Sequence, residues 1–237
     1  MKVGLTVTTH RSEKIRPNGS ILLDGFFDSF RRSNFKYEYC IYVSDNESTI
    51  DYKYPSDLNL KLISIEDQSV KGLTGAWNLG IDAAYKDGCD IIWNFNDDLE
   101  LNSSINVFIE HIQNTPSYPL GIYGPLSNEG GVEAPNNSPG PKEGIRELKV
   151  IPGSMFEVPN GFSFAFTKEV YENFRFKQNE FFPINHSMNG GDGKWGGQEG
   201  YFSLISSNKE LKYYLINECW IKHYKFKAWE QARNLYK

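Results

Sequence analysis

The sequence predicts an α/β fold with a mixed, mainly parallel central sheet that is flanked by helices. Two observations indicate it. Segments of strand length that are rich in apolar and β-branched residues alternate with segments in which apolar residues recur at helical spacing. Polar residues also follow three of these strand-like segments, at the edge where such sheets bind ligands. The chain has 237 residues, so we expect one domain with a large core.

The predicted strands of the first half are short and end at turn-forming residues. They are residues 2–8, 37–43, 60–65, 90–95 and 120–123. The predicted helices begin at residues whose side chains can cap a helix. Ser20 can cap the first helix, Thr74 can cap a second that runs to about Tyr85, and residues 103–113 form a third.

Residues 125–145 interrupt this alternation, because they are rich in Pro, Gly, Asn and Ser and therefore predict a long loop. Such a loop is either a lid over a binding site or a segment without a role. After it we expect strands at 148–151, 161–167 and 212–216, and helices at 168–174 and 198–206.

The composition argues against several classes of protein. A net charge of −5 disfavours a nucleic-acid-binding protein, which usually carries a basic face. Cys40, Cys89 and Cys219 have no CxxC spacing, so we expect buried thiols in a reducing compartment and neither disulfides nor a zinc site. No apolar run reaches the roughly 18 residues of a membrane span. We therefore expect a cytoplasmic protein without a membrane span.

The strongest chemical signal is Asn96-Asp97-Asp98, which directly follows the apolar strand 90–95. Adjacent carboxylates at the end of a buried strand repel each other and are partly desolvated, and a divalent cation removes that cost. Oxygen ligands of this kind suit Mg²⁺ or Mn²⁺ held jointly with substrate phosphates. The alternative is a solvated turn in which Asp97 or Asp98 caps the following segment. The polar segments 8–11 and 44–46 should end at the same sheet edge.

A second signal is Trp195-Gly196-Gly197-Gln198-Glu199. The glycines allow a ligand to approach the backbone, and Trp195 offers a flat apolar face on which a sugar ring can stack. Glu199 lies at a predicted helix start, where it stays ionised and can act as a general base. The alternative is that Trp195 belongs to the core and Glu199 only stabilises the helix start.

His223 lies near the end of the chain and is flanked by Ile221 and Tyr224. It is a candidate metal ligand if the fold returns it to Asp98. If the fold does not, it is a packed or surface histidine.

Taken in order, these residues resemble family-2-type glycosyltransferases with the GT-A fold, and the likeness runs from residue 1 to about residue 225. Asn96-Asp97-Asp98 stands in the place of the DxD motif of that family. The segment that ends in Glu199 is similar to the WGGE segment of galactosyl- and GalNAc-transferases. Other matching positions are the nucleoside-contacting Asp45, Asn78 in the helix before the fourth strand, Gly161 in the donor-sugar segment, and His223 as a late metal ligand.

The resemblance implies a single GT-A domain over residues 1–237, with a nucleotide-binding half, 1–100, and an acceptor-binding half, 101–237. It implies transfer of a sugar from a nucleoside diphosphate sugar, UDP favoured, to a hydroxyl of a glycan, lipid or protein acceptor, with inversion expected. The similar segment also occurs in retaining relatives. The implied ligands of Mn²⁺ or Mg²⁺ are Asp98 and His223, and the implied base is Glu199. Implied donor contacts are Thr8, Thr9, Arg11, Asp45, Asn78, Asn96, Asp97 and Gly161, and implied sugar or acceptor contacts are Trp195, Gly196 and Gly197.

Two departures from the pattern keep other functions open. Asn96 replaces the first Asp of the DxD motif, and Gln198 stands where an acid is common, which favours a non-catalytic nucleotide-sugar-binding domain. A sugar nucleotidyltransferase would need a glycine-rich basic loop after the first strand, and residues 8–16 contain no glycine. No GxGxxG follows that strand and no P-loop is present, so a dinucleotide-dependent oxidoreductase is disfavoured.

Overall fold

The computed structural model describes residues 1–14, 16–65, 72–128, 135–152, 157–184 and 198–224, with only the backbone of residues 198 and 199. Within these ranges the chain forms nine strands and five helices. The strands are β1 (Lys2–Thr9), β2 (Glu38–Asp45), β3 (Leu60–Ser64), β4 (Ile91–Asn96), β5 (Leu99–Glu100), β6 (Gly121–Ser127), β7 (Ile145–Glu147), β8 (Ser163–Thr167) and β9 (Lys212–His223). The helices are α1 (Gly19–Ser33), α2 (Leu73–Lys86), α3 (Ser104–Asn114), α4 (Lys168–Phe174) and α5 (Gln198–Ile205).

The described strands form one sheet in the order β3-β2-β1-β4-β8-β6-β9-β5, with β7 also paired to β9. β3, β2, β1 and β4 are parallel neighbours. β8 runs antiparallel to both β4 and β6, so β6 and its parallel neighbour β9 run in the direction of β1. β5 and β7 run antiparallel to β9. The sheet is therefore mixed and mainly parallel, which confirms the prediction.

Helices cover both faces of the sheet, as the alternation of strands and helices predicts. Val3, Leu5 and Val7 of β1 face a core that includes apolar residues of α1 and α3. The opposite face carries a second core, to which α2, α4 and α5 contribute. α2 lies close to β1, because a Cβ at Gly4 would lie 2.7 Å from the Ala84 Cβ. None of the helices in the described ranges has the length and apolarity to cross a bilayer.

Several predicted boundaries are wrong. α1 begins at Gly19 after Asn18, and α2 begins at Leu73 after Gly72, so neither Ser20 nor Thr74 is the capping residue. Residues 148–151 do not form a strand. The strand in this region is β7, whose three exposed residues pair with β9 before Leu148 turns into the core.

β9 is longer than predicted, and this extension determines the site. It continues past Ile216 to His223, because Cys219 and Ile221 remain buried. Over this stretch β9 still pairs with β6, with an irregularity in the pairing between Pro125 and Leu126. β6 likewise extends to Ser127, into the predicted loop. The two-residue strand β5 was not predicted; it pairs with the end of β9.

Candidate functional site

Three strand ends meet at the carboxyl edge of the sheet, as the sequence predicts. Thr9 at the end of β1 is in register with Asp45 at the end of β2, and Thr8 is in register with Asn96 at the end of β4. The Asn46 backbone N–H donates to the Thr9 carbonyl at 2.8 Å. This is the edge where ligands bind in open parallel sheets.

The extension of β9 brings His223 to Asp98. Leu99 pairs with His223 in register, and the Tyr224 backbone N–H donates to the Asp98 carbonyl at 2.9 Å. The His223 Nε2 atom consequently lies 3.4 Å from Asp98 Oδ1. The fold thus fulfils the condition under which His223 is a candidate metal ligand.

Phe162 and Asn128 hold His223 in this position, one through its ring and the other through its backbone. The Phe162 ring stacks on the imidazole, with 4.9 Å between ring centroids. Asn128 accepts the backbone N–H of His223 at 2.8 Å and donates its side-chain amide to the His223 carbonyl at 3.3 Å. The orientation of His223 is therefore set by both its ring face and its backbone.

The adjacent carboxylates share a positive neighbour that the sequence analysis did not assign. Arg16 Nη2 lies 2.5 Å from Asp97 Oδ1 and 3.9 Å from Asp98 Oδ2. Asp97 is only 1% exposed, and burial raises its pKa; Arg16 opposes that shift, while the nearby Asp98 reinforces it. Burial lowers the pKa of Arg16, but the two carboxylates outweigh it, so the Arg16 pKa lies above its ordinary value.

The edge has ligand atoms that suit a hard divalent cation. Asp98 Oδ1 and Asn96 Oδ1 are buried and accept no hydrogen bond from the described residues, which is costly for a polar oxygen unless a ligand satisfies it. No three His, Cys, Asp or Glu side chains are grouped to hold a metal within the described ranges. Asp98 and His223 would therefore need further oxygens from a substrate or water, as Mg²⁺-type sites commonly do.

Asp45 and Arg11 bind each other beside this edge. Arg11 Nη2 lies 2.6 Å from Asp45 Oδ2, and the Tyr54 hydroxyl donates to the same oxygen at 3.2 Å. Arg11 is 2% exposed and also bonds the Ile50 carbonyl at 3.3 Å. The predicted contacts of Asp45 with a nucleoside and of Arg11 with a diphosphate remain predictions.

The structure places the other predicted donor contacts as follows. Thr8 and Thr9 are both buried, and the Thr9 hydroxyl lies close enough to Asp97 to oppose the rise in the pKa of that carboxyl. Gly161 precedes Phe162, whose carbonyl accepts the Asn96 backbone N–H at 3.0 Å, so the segment before β8 lies against the edge. Their contact with a donor remains a prediction.

Asn78 has both ends of its amide engaged inside the protein. It donates to the Phe182 carbonyl at 2.7 Å and accepts the Phe182 N–H at 2.8 Å. These bonds connect α2 to a segment 104 positions further along the chain. A structural role explains these contacts without a donor.

The predicted sugar and acceptor contacts Trp195, Gly196 and Gly197 lie outside the described residues. Glu199 is the second residue of α5, which confirms a helix there, but its side chain is also outside the described part. Its assignment as a general base therefore remains a prediction.

Three residues of the site were not identified from the sequence: Arg16, Phe162 and Asn128. Arg16 could have been suspected, because it follows a strand that ends at the predicted acidic edge. Asn128 gave no such signal, since its role depends on the extension of β9 to His223.

Comparison with known proteins rests on structure alone. No known sequence family matches the chain, and no curated protein is similar to it in sequence. The structure is similar to S. aureus TarS 1–349, with a TM-score of 0.58 and 14% identity over 99% of this chain and 64% of that one. TarS 1–349 in complex with UDP-GlcNAc gives a TM-score of 0.54 and 14% identity over 94% and 58%.

GalNAc-T7 with UDP, GalNAc and Mn²⁺ is also similar, with a TM-score of 0.61 and 15% identity over 96% of this chain and 44% of GalNAc-T7. The chain thus spans 64% or less of the length of these proteins. At such identities the likeness defines the architecture. The chain has the GT-A fold.

Proposed function

We propose that this chain is a glycosyltransferase that moves a sugar from a nucleoside diphosphate sugar, UDP favoured, to an acceptor hydroxyl. The observation that carries the proposal is the meeting of Asp98 and His223, 3.4 Å apart, at the edge where β1, β2 and β4 end. The fold supports it, since TarS has been seen with UDP and UDP-GlcNAc, and GalNAc-T7 with UDP, GalNAc and Mn²⁺.

Mn²⁺ or Mg²⁺ fits this edge. Asp98 and His223 would hold the ion, with Asn96 Oδ1 as a further oxygen close by in sequence. The bound ion would supply Lewis-acid stabilisation of the charge that develops on the leaving diphosphate.

The protein's own residues would bind the donor and handle the proton. Asp45 at the end of β2 faces the nucleoside, and the Thr8 and Thr9 hydroxyls line the adjacent strand end. Trp195 stacks on the sugar, and Gly196 and Gly197 admit it close to the backbone.

Glu199 accepts the proton of the acceptor hydroxyl as its oxygen forms a bond to the anomeric carbon and the bond to the diphosphate breaks. Attack from the face opposite the leaving group inverts the anomeric centre. The segment between β6 and β7 would exclude water from the donor, which limits hydrolysis. The acceptor hydroxyl belongs to a glycan, a lipid or a protein. The three free, buried cysteines favour a reducing compartment such as the cytoplasm.

A thermal-shift panel of nucleotide sugars, with and without Mn²⁺, tests donor binding directly. We expect a UDP-sugar to raise the melting temperature only when Mn²⁺ is present, because binding to the native state stabilises it. A flat response to every nucleotide sugar with Mn²⁺ would contradict the proposal.

Turnover of the stabilising donor tests the assignment of Glu199. Glu199→Gln should retain the thermal shift and lose transfer, whereas Glu210→Gln, at an exposed position, should transfer at the wild-type rate. If Glu199→Gln transfers sugar normally, another group is the base.

A non-catalytic nucleotide-sugar-binding domain is the second candidate. Asn96 at the first position of the motif and the Arg16 guanidinium beside both carboxylates favour it. Such a domain would show the thermal shift but no transfer or donor hydrolysis with any acceptor. A sugar nucleotidyltransferase would instead release pyrophosphate from a nucleoside triphosphate.

A further inference from the structure

The segment between β1 and α1 carries two arginines, and each binds an acid at the sheet edge. Arg11 pairs with Asp45, and Arg16 pairs with Asp97. The backbone fixes the place of Arg16: its N–H donates to the Ser12 carbonyl at 2.8 Å, and its carbonyl accepts the Gly19 N–H at 3.0 Å. A Cβ at Gly19 would lie 2.6 Å from the His10 carbonyl oxygen, so this turn requires glycine.

Asp98 lies between Arg16 and His223. The Arg16 Nη2 atom lies 3.9 Å from Asp98 Oδ2, while Asp98 Oδ1 faces His223 Nε2 at 3.4 Å. The Asp98 carboxylate therefore has one oxygen towards the guanidinium and the other towards the imidazole.

The charges at the edge indicate what this arrangement does. Asp97 and Arg16 form an ion pair with no net charge, which leaves the carboxylate of Asp98 as the negative charge beside His223 among the described residues. Without Arg16, the two adjacent carboxylates would attract a divalent cation more strongly in the absence of a diphosphate. A diphosphate would meet a less positive edge.

We propose that Arg16 is a positioning residue that makes binding of the divalent cation depend on the donor diphosphate. This inference rests on the proposed function. Arg16 holds Asp97, leaves Asp98 Oδ1 to the cation beside His223, and keeps the edge too weakly negative to retain a cation alone. The diphosphate then supplies the missing charge and oxygen ligands, so the two ligands bind cooperatively.

Isothermal titration calorimetry with Mn²⁺ alone, and with UDP in saturating Mn²⁺, tests the proposal. Arg16→Gln should bind Mn²⁺ alone roughly tenfold more tightly and bind UDP roughly tenfold more weakly, the order of magnitude for one charge at a partly buried site. Arg16→Lys retains the charge and should stay within about threefold of wild type for both ligands.

Two further variants separate charge from folding. Arg16→Gln/Asp97→Asn leaves no buried unpaired carboxylate, so it should fold well and return the Mn²⁺ affinity to within about threefold of wild type. Arg31→Gln removes the same charge from an exposed pair with Asp28 and Asp57 and should change neither affinity.

Opposite shifts for Mn²⁺ and UDP are the expected result, because a purely structural role would weaken both or neither. If Arg16→Gln leaves both affinities unchanged or weakens both, the role of Arg16 is overturned while the proposed function stands. If the wild-type protein binds no UDP at any Mn²⁺ concentration, the proposed function fails, and this inference fails with it.

Discussion

Replacing Asn78 with alanine should destabilise the protein without weakening donor binding. The Asn78 amide bonds both the N–H and the carbonyl of Phe182, at 2.8 and 2.7 Å, and the two residues are 2% and 1% exposed. Alanine would leave both Phe182 groups buried and unpaired. Each stranded group costs about 1–3 kcal/mol, so two groups at about 1.5 kcal/mol each, in the lower half of that range, give a loss of about 3 kcal/mol in total.

Thermal unfolding measures this loss. For a chain of this size, about 3 kcal/mol corresponds to a fall in melting temperature of roughly 6–12 °C. Asn173→Ala is the matched control, because the exposed Asn173 amide bonds the Glu169 carbonyl of its own helix, at 2.8 Å. That variant should stay within about 0.5 kcal/mol of wild type.

The same two variants decide between a structural and a donor-binding role for Asn78. UDP binding in saturating Mn²⁺, measured well below the melting temperature, should be equal in wild type and Asn78→Ala. An unchanged melting temperature together with a large loss of UDP affinity would exclude the structural role of Asn78 and support the donor contact expected from the sequence.

Three other outcomes follow from the site and the core. Asp98→Asn should abolish the Mn²⁺-dependent thermal shift by UDP, whereas Asp28→Asn, on the exposed face of α1, should retain it; a normal shift in Asp98→Asn would exclude this carboxylate as a ligand. Phe162→Leu removes the ring stacked on His223, so UDP affinity with Mn²⁺ should fall in calorimetry while stability drops by only about 1 kcal/mol. Burial raises the pKa of the Cys219 thiol to about 12, and all three cysteines are buried, so iodoacetamide at pH 8 should label none in the native protein by mass spectrometry; rapid labelling would contradict the described core.

The sheet could be predicted because local patterns determine it. Strands of buried apolar residues followed by polar residues predict both the parallel sheet and a ligand-binding edge. The registers of Thr9 with Asp45 and Thr8 with Asn96 confirm that these polar residues meet at one edge.

The end of β9 could not be predicted in the same way. Polar Asn217, Glu218 and Lys222 weaken the strand pattern after Ile216, and the strand continues because Cys219 and Ile221 are buried. That burial depends on distant parts of the chain.

The pairing of side chains at the site could not be predicted from the sequence either. Arg16 and Asp97 lie far apart in the sequence, and the fold of the segment after β1 brings them into contact. Asn78, expected at the donor, is bound to Phe182 because tertiary contacts determine the direction of its amide. Residue types therefore indicated the chemistry of the edge, while their pairing required the fold.

A crystal structure with UDP and Mn²⁺, with manganese located by its anomalous scattering, would show whether Asp98 and His223 bind the cation. We expect one manganese ion bonded to Asp98 and His223 and to oxygens of the diphosphate at the carboxyl edge of β4. Manganese bound elsewhere, or a diphosphate bound with Asp98 and His223 turned to solvent, would contradict this expectation.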